Sequence, residues 1–290
     1  MSDKTDSAKT WKNPLYVAGS ETASRSLLLG NDLRKKVNGG WALGTFVIDI
    51  PDPATLTTVA LAGFEFVVLD MEHSSTGFTR LDAMLNSGRA AGLPMLVRPW
   101  GEDTGLIGKI LDMGAHGIMA PHVGSTKRAR EVVDEARFPP LGKRGFSPVT
   151  KFDSIEEPLK TLDEATYVVV QVEGREALDK VAEIAAVPGI DAIFVGPYDL
   201  ALSLDVPPGS GAVYDAAERI AKSVPKNLGV GIYIDDPATA GDWAKRGFAL
   251  QCVSFDGRML ADGTRSVVNS AKASMQGQLR GELKQIKEAE

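Results

Sequence analysis

The chain has 290 residues, 43% of them hydrophobic and 24% charged, an ordinary composition for a globular protein. A formal net charge of −6 with no basic cluster argues against nucleic acid as a partner, and no apolar run approaches the roughly 20 residues that span a membrane. One cysteine, Cys252, excludes a disulfide framework and a cysteine zinc site; with a polar N-terminus lacking a signal-peptide apolar stretch, it points to a reducing cytoplasm.

Residues 1–32 read as an N-terminal extension, polar and partly disordered over 1–12 and of mixed character beyond. A repeat then begins. The apolar run Leu43–Ile48 leads to a helix Pro53–Ala62 behind Asp52, a good N-cap. Glu65–Leu69 leads to Thr79–Ala91, closed by Gly92, and Met95–Val97 leads to Thr104–Met113, closed by Gly114. Gly117–Ala120 precedes a helix Thr126–Ala136. The connection from Phe138 to Thr166 is too long for a plain linker and contains Pro139, Pro140, Gly142, Gly145 and Pro148. Tyr167–Val170 precedes Arg175–Ala186, and Ala192–Val195 precedes Tyr214–Ser223. Val230–Ile234 precedes Pro237–Arg246, closed by Gly247, and Leu250–Val253 precedes Met259–Ala273. Residues 275–290 form a charged tail, expected as an exposed helix. The apolar runs are short, rich in Val and Ile and bounded by Gly or Pro, so they read as strands. Eight β-then-α units predict a (β/α)8 TIM barrel over 33–274. An open doubly wound sheet does not require eight, and no GxGxxG follows the first strand.

In such a barrel, residues just past the strand ends share one mouth. Those residues are Asp70, Glu72 and His73; Arg98; His122; Gln171 and Glu173; Asp199; Asp235 and Asp236; and Asp256. Gln171 and Glu173, two apart, share a face. Glu173 and Asp199, carboxylates at the ends of successive strands, suggest a divalent cation site, and oxygen donors without cysteine favour magnesium or manganese over structural zinc. Plainer readings stand beside these. Glu173 has a salt bridge as its alternative, Asp199 a helix cap, Arg98 an ion pair with Asp70, and His73 a surface position rather than proton transfer. His116, at the opposite end of a strand, reads as structural, and His122 stays open. One of Asp235 and Asp236 reads as a cap before Pro237, and Cys252 as core. No strand ends in lysine, which argues against a Schiff-base aldolase. Asp-Asp-Pro after the seventh strand repels anions, which argues against phosphorylated sugars.

Six ordered motifs carry a family resemblance: Leu43-Gly44-Thr45-Phe46, Asp70-Met71-Glu72-His73, Val97-Arg98-Pro99, Pro139 to Gly145, Gln171-Val172-Glu173, and Gly196-Pro197-Tyr198-Asp199-Leu200. From about Leu33 to Ala273 the chain resembles the HpcH/HpaI aldolases, the metal-dependent class II pyruvate aldolases. The resemblance implies cleavage or formation of 4-hydroxy-2-oxo acids from pyruvate enolate and an aldehyde. It implies a metal on Glu173 and Asp199, magnesium or manganese with cobalt as a further candidate, and Gln171 beside the metal and its waters. Arg98 would meet the keto oxygen. His73, oriented by Asp70, would manage a proton through water, with Glu72 beside the substrate. The turn Gly196-Pro197-Tyr198 would face the pyruvate carboxylate, with the backbone N–H groups of Gly196 and Tyr198 as donors. A homohexamer, a trimer of dimers exchanging the last helix, is implied as well. The chain departs from the pattern at Gly174, at the bulky Tyr198, at Ala201, and after Gly145, where a shortened stretch is expected to affect the acceptor pocket. Rival readings keep the site and change the reaction: oxaloacetate decarboxylation, enolate condensation, or a CoA-ester lyase of the citrate-lyase type. A non-catalytic metabolite binder is the outsider.

Overall fold

The computed structural model describes residues 11–101 and 104–289, with the backbone alone for 22–23 and 277–289. Eight parallel strands close a barrel in chain order: β1 (Ala42–Val47), β2 (Phe66–Asp70), β3 (Met95–Arg98), β4 (Gly117–Ala120), β5 (Tyr167–Val172), β6 (Ala192–Val195), β7 (Gly229–Ile234) and β8 (Leu250–Phe255). β8 pairs with β1 and completes the ring, with a register shift between Gly44 and Phe46. The expected barrel is therefore present, with each strand within two residues of its expected bounds.

Side-chain alternation divides the core in two. Val168, Val170 and Val172 face outward into the layer shared with the helices. Tyr167 and Val169 face inward with Phe66, Met119 and Phe194. The inner layers need small residues opposite large ones. Gly44 supplies one: a Cβ there would lie 2.4 Å from the Phe66 ring. Gln171 follows Val169 on the inner face, at the open end of β5.

The expected helices Pro53–Ala62, Thr79–Ala91, Thr104–Met113 and Thr126–Ala136 form within a residue or so as Pro53–Leu61, Phe78–Ala90, Gly105–Asp112 and Thr126–Ala136. Asp52 caps the first of these through the Ala54 amide. Arg175–Ala186 is broken into Arg175–Leu178 and Val181–Ala185, because the Lys180 amide bonds back only three residues, to the Ala177 carbonyl. Pro237–Arg246 begins as a 3-10 turn, Pro237–Thr239, before the helix Ala240–Lys245.

Both ends of the barrel region differ from expectation. A helix Leu29–Gly39 crosses the boundary drawn at residue 33. Its Leu33 and Val37 enter the inner cluster beside Ala42 and Phe66, so it closes the N-terminal end of the barrel. At the other end, one helix runs unbroken from Asp256 to Ala289, through the boundary drawn at 274. The expected disorder of 1–10 falls outside the described residues.

The long connection also holds an unexpected helix, Pro158–Ala165. It packs with the N-terminal segment: the Asn13 amide bonds the Glu156 carbonyl, and the Trp11 ring meets Phe146 at 5.2 Å. Phe138, Phe152, Ile155 and Leu162 form a separate apolar cluster with Leu27 there. This stretch joins a helix to the start of a strand, so it sits at the closed end. None of its described residues borders the mouth cavity of its own chain.

Candidate active site

The open end of the barrel holds a cavity of about 290 Å³. His73, Arg98, Gln171, Gly196, Pro197, Tyr198 and Asp199 all border it, as the strand-end reading expects. Glu173 borders the adjoining groove with His122, and Asp199 borders both. Asp70 and Glu72 lie behind this surface and hold it in place.

Asp70 ends β2, fully buried, and Arg98 ends β3 directly beside it in register. Arg98 Nε and Nη2 donate to the two Asp70 oxygens, each at 2.8 Å, a two-pronged ion pair. This is the ion pair that the plainer reading of Arg98 proposed. It does not remove the guanidinium from the cavity. Nη1 makes no hydrogen bond to the described residues, and the group lies over the Phe46 ring at 4.9 Å. Burial pulls the Arg98 pKa down, and Asp70, Glu72 and Glu173 more than reverse it, so the group stays charged.

Asp70 does not orient the His73 ring. Its carboxylate accepts the backbone amides of Glu72 and His73 at 3.0 and 3.2 Å, so it shapes the turn instead. The His73 side chain is 59% exposed, and its Nε2 lies 3.7 Å from Glu72 Oε2. The expected Asp70–His73 pair is thus corrected: Arg98 and two amides already claim the Asp70 oxygens, and Glu72 is the carboxylate nearest the ring.

His122, left open by the sequence, lies between two carboxylates. Nε2 is 3.0 Å from Glu72 Oε1, and Nδ1 is 3.0 Å from Glu173 Oε1. Both ring nitrogens can donate at once only when both carry hydrogen. The backbone at His122 is left-handed, with φ 56°, and its amide also donates to Glu173 Oε1 at 2.7 Å. The sequence signal was position alone, one residue beyond Pro121 at a strand end.

Glu173 is buried, and burial pushes its carboxyl pKa up; the His122 amide and ring pull it back, while Asp199 and Glu72 push it up again. Its Oε1 serves His122, whereas Oε2 makes no hydrogen bond among the described residues and lies against Gly196. A Cβ at 196 would come within 2.4 Å of Oε2, so the glycine lets the β6 turn approach the carboxylate. Asp199 lies in the first turn of the helix Pro197–Leu204. The N-cap is Gly196 and no side-chain cap bond forms, so Asp199 is not serving as the cap. Its carboxylate makes no hydrogen bond among the described residues. Gln171 is 2% exposed, and its Oε1 has no partner.

The remaining acidic residues sort by contact. Asp236 caps the 3-10 turn through the Ala238 amide. Asp235 accepts hydrogen bonds from the Tyr198 and Tyr233 hydroxyls at 2.7 and 3.1 Å. Asp256 accepts the amides of Ile48, Asp49 and Ile50 and does not border the cavity, so it ties the start of the last helix to the end of β1. Tyr233 was not singled out by sequence, although its inward position on β7 places it on the cavity wall. Among the described residues no group of three or more His, Cys, Asp or Glu is set to hold a metal ion.

A sequence model of the family described as HpcH/HpaI aldolase/citrate lyase matches residues 44–263. A hydroxypyruvate/pyruvate aldolase of Deinococcus radiodurans is 30% identical over 257 residues, 84% of this chain and 91% of that protein. Among solved structures, an HpcH/HpaI aldolase/citrate lyase family protein from Burkholderia cenocepacia J2315 superposes with a TM-score of 0.78 at 29% identity, covering 83% of this chain and 99% of that one. Citrate synthase SbnG superposes with a TM-score of 0.76 at 26% identity, covering 86% and 99%.

Proposed function

Because the chain belongs to the HpcH/HpaI aldolase/citrate lyase family and is an aldolase, a carbon–carbon lyase, we propose that it cleaves or forms 4-hydroxy-2-oxo acids through pyruvate enolate with a divalent metal at its barrel mouth. The observation that carries this reading is a set of unused oxygens at the barrel mouth, around the cavity and the groove that adjoins it through Asp199. Buried Gln171 Oε1 is unpartnered, and Glu173 Oε2 and the Asp199 carboxylate make no hydrogen bond among the described residues. Two carboxylates without a third protein ligand fit magnesium or manganese, hard cations that keep several waters. Glu173 and Asp199 would hold the ion, with Gln171 beside it. When bound there, such a cation supplies Lewis-acid chemistry, drawing charge from the carbon next to a 2-oxo group toward the keto oxygen.

The chain's own residues do the rest. Arg98, fixed by Asp70, directs Nη1 to the oxygen on which enolate charge collects. His73 moves the proton at Nε2 through water, with Glu72 as its nearest carboxylate. The first-turn amides after Gly196 receive the pyruvate carboxylate. His122 braces Glu72 and Glu173 from behind. Citrate synthase SbnG, a structural neighbour, supports a second reading in which the enolate attacks an acceptor and stays joined to it. Release of pyruvate from a 4-hydroxy-2-oxo acid separates the two.

We also place the chain in a cytoplasmic homo-oligomer, a trimer of dimers in which the last helix crosses to a neighbour. Support comes from Leu260, Val267, Val268 and Met275, apolar residues left exposed along that helix, and from the single buried thiol. No helix among the described residues is long and apolar enough to cross a membrane. The direct test of function is pyruvate release from a 4-hydroxy-2-oxo acid after chelation, followed by add-back of magnesium or manganese. Loss and recovery are expected; full activity in excess chelator overturns the metal reading.

A further inference from the structure

We propose that the acceptor side of the cavity selects an aldehyde with an apolar, ring-like body and rejects aldehydes that carry a carboxylate or phosphate. This rests on the aldolase reading above and adds the substrate class. The acceptor carbon bonds to C3 of pyruvate, so it must lie in the same cavity as Arg98 and Gln171. The cavity, about 290 Å³, is at the small end for ligand pockets and leaves room for one oxo acid and a compact acceptor.

Its polar groups gather on one side, on β3, β5 and the turn after β6. The other side is Phe46, Ile48, Phe194, Tyr198, Tyr233 and Phe255. Four of these rings touch in series: Phe194 to Phe46 at 6.3 Å, Phe46 to Tyr233 at 6.0 Å, and Tyr233 to Tyr198 at 6.0 Å. Phe194 and Phe46 are buried and form the floor, with Phe46 under Arg98, and Tyr233 and Tyr198 rise from it as the open part of the wall. The interplanar angles of 71°, 64° and 55° make these contacts edge-on or tilted, and a flat ring added against Tyr198 and Tyr233 can adopt the same geometry.

The two hydroxyls do not open this wall to polar acceptors. Tyr198 and Tyr233 both donate to Asp235, one to each oxygen. Burial, then Asp235, pushes the Tyr198 phenol up to about 12, so it remains a neutral donor. The carboxylate behind the wall is an added penalty for an anion. Among the described residues, Arg98 and His73 are the basic side chains bordering the cavity, and Arg98 is already claimed by Asp70 and, in the reading above, by pyruvate. Arg258 borders a separate groove, which it shares with Asp235 and Asp262. An acceptor carboxylate or phosphate would therefore lose hydration with only His73, itself beside Glu72, left to meet it.

In the reaction, pyruvate gives up one C3 proton. C3 then forms a bond to the aldehyde carbon, the carbonyl π pair moves to the aldehyde oxygen, and that oxygen takes one proton. Benzaldehyde would yield 4-hydroxy-2-oxo-4-phenylbutanoate, with no oxidant or reductant required.

The test is kcat/KM for the full chain with pyruvate and manganese, using benzaldehyde, 4-oxobutanoate and glyceraldehyde 3-phosphate as acceptors. Deuterium exchange into the pyruvate methyl group is measured in parallel without any aldehyde. Benzaldehyde is expected to exceed both anionic acceptors by about tenfold or more. Ile48→Arg, which adds a cation to the wall, is expected to shift the ratio toward 4-oxobutanoate by about tenfold. Methyl exchange with the anionic acceptors equal or better, or with no turnover of benzaldehyde, overturns this inference and leaves the aldolase reading standing. Absence of both exchange and turnover overturns the two together. Should Ile48→Arg fail to fold, the panel on the unaltered chain still decides.

Discussion

Arg98 borders the cavity and is held by Asp70 through Nε and Nη2, which fixes the plane of the guanidinium and leaves Nη1 outside the fork. If Nη1 meets the enolate oxygen, Arg98→Ala should lower kcat by about 10²-fold, the loss typical of one oxyanion donor. The same change strands the buried Asp70 charge and should destabilise the fold by about 3–5 kcal/mol. Steady-state kinetics and a urea titration read the two effects separately, and normal turnover would contradict the role assigned to Arg98. His116 makes a prediction of the opposite kind. Its Nδ1 accepts the Met95 amide and its Nε2 faces the Ser26 carbonyl, so the fold holds a neutral ring, and burial lowers the pKa from 6.5 to about 4. Below pH 6.5 the unfolded chain takes up a proton that the folded chain refuses. This contribution is therefore complete above pH 6.5 and falls away toward pH 4, by up to about 3 kcal/mol. Urea unfolding at pH 7 and pH 4.5 should show a smaller acid loss in His116→Gln than in the unaltered chain; equal losses would contradict it. At this scale position was legible and partnership was not. Strand ends marked Asp70, Arg98, Gln171, Glu173 and Asp199 as mouth residues. The Asp70–Arg98 pair was among the readings the strand ends allowed, but the other partnerships depended on reach across the barrel: Glu72 rather than Asp70 lies nearest the His73 ring, and His122 bridges Glu72 and Glu173.

The strands were legible because a buried parallel strand is an unbroken apolar run, and the short helices because Asp52, Gly92 and Gly114 punctuate them. The helix Leu29–Gly39 was not, because its apolar residues Leu33 and Val37 sit in a stretch otherwise rich in charge and Asn. Its purpose is set by the barrel: it covers the N-terminal opening, and Leu33 is fully buried against the inner layer. Leu33→Ala should cost about 2–5 kcal/mol, the range for a buried leucine whose surroundings cannot collapse. A urea midpoint within error of the unaltered chain would mean that the helix is not part of the barrel's cooperative unit. The connection from Phe138 to Thr166 was correctly singled out for its length, but its chemistry lies in packing. It meets the N-terminal segment at the closed end, far in the fold from the strand ends that carry the cavity.

For the whole molecule, the barrel places every polar group of the proposed chemistry at one end and its structural closures at the other. Asp256, which opens the last helix, also holds the β1 loop that carries Ile48 to the cavity wall. The central claim is that Glu173 and Asp199 bind a divalent cation that makes the methyl protons of pyruvate acidic. Proton exchange at that methyl group, followed by NMR in deuterated water without any aldehyde, tests it most directly. Exchange should require magnesium or manganese, stop in excess chelator, and fall by about 10²-fold or more in Glu173→Gln. Exchange that continues undiminished in excess chelator, or in Glu173→Gln, would contradict it.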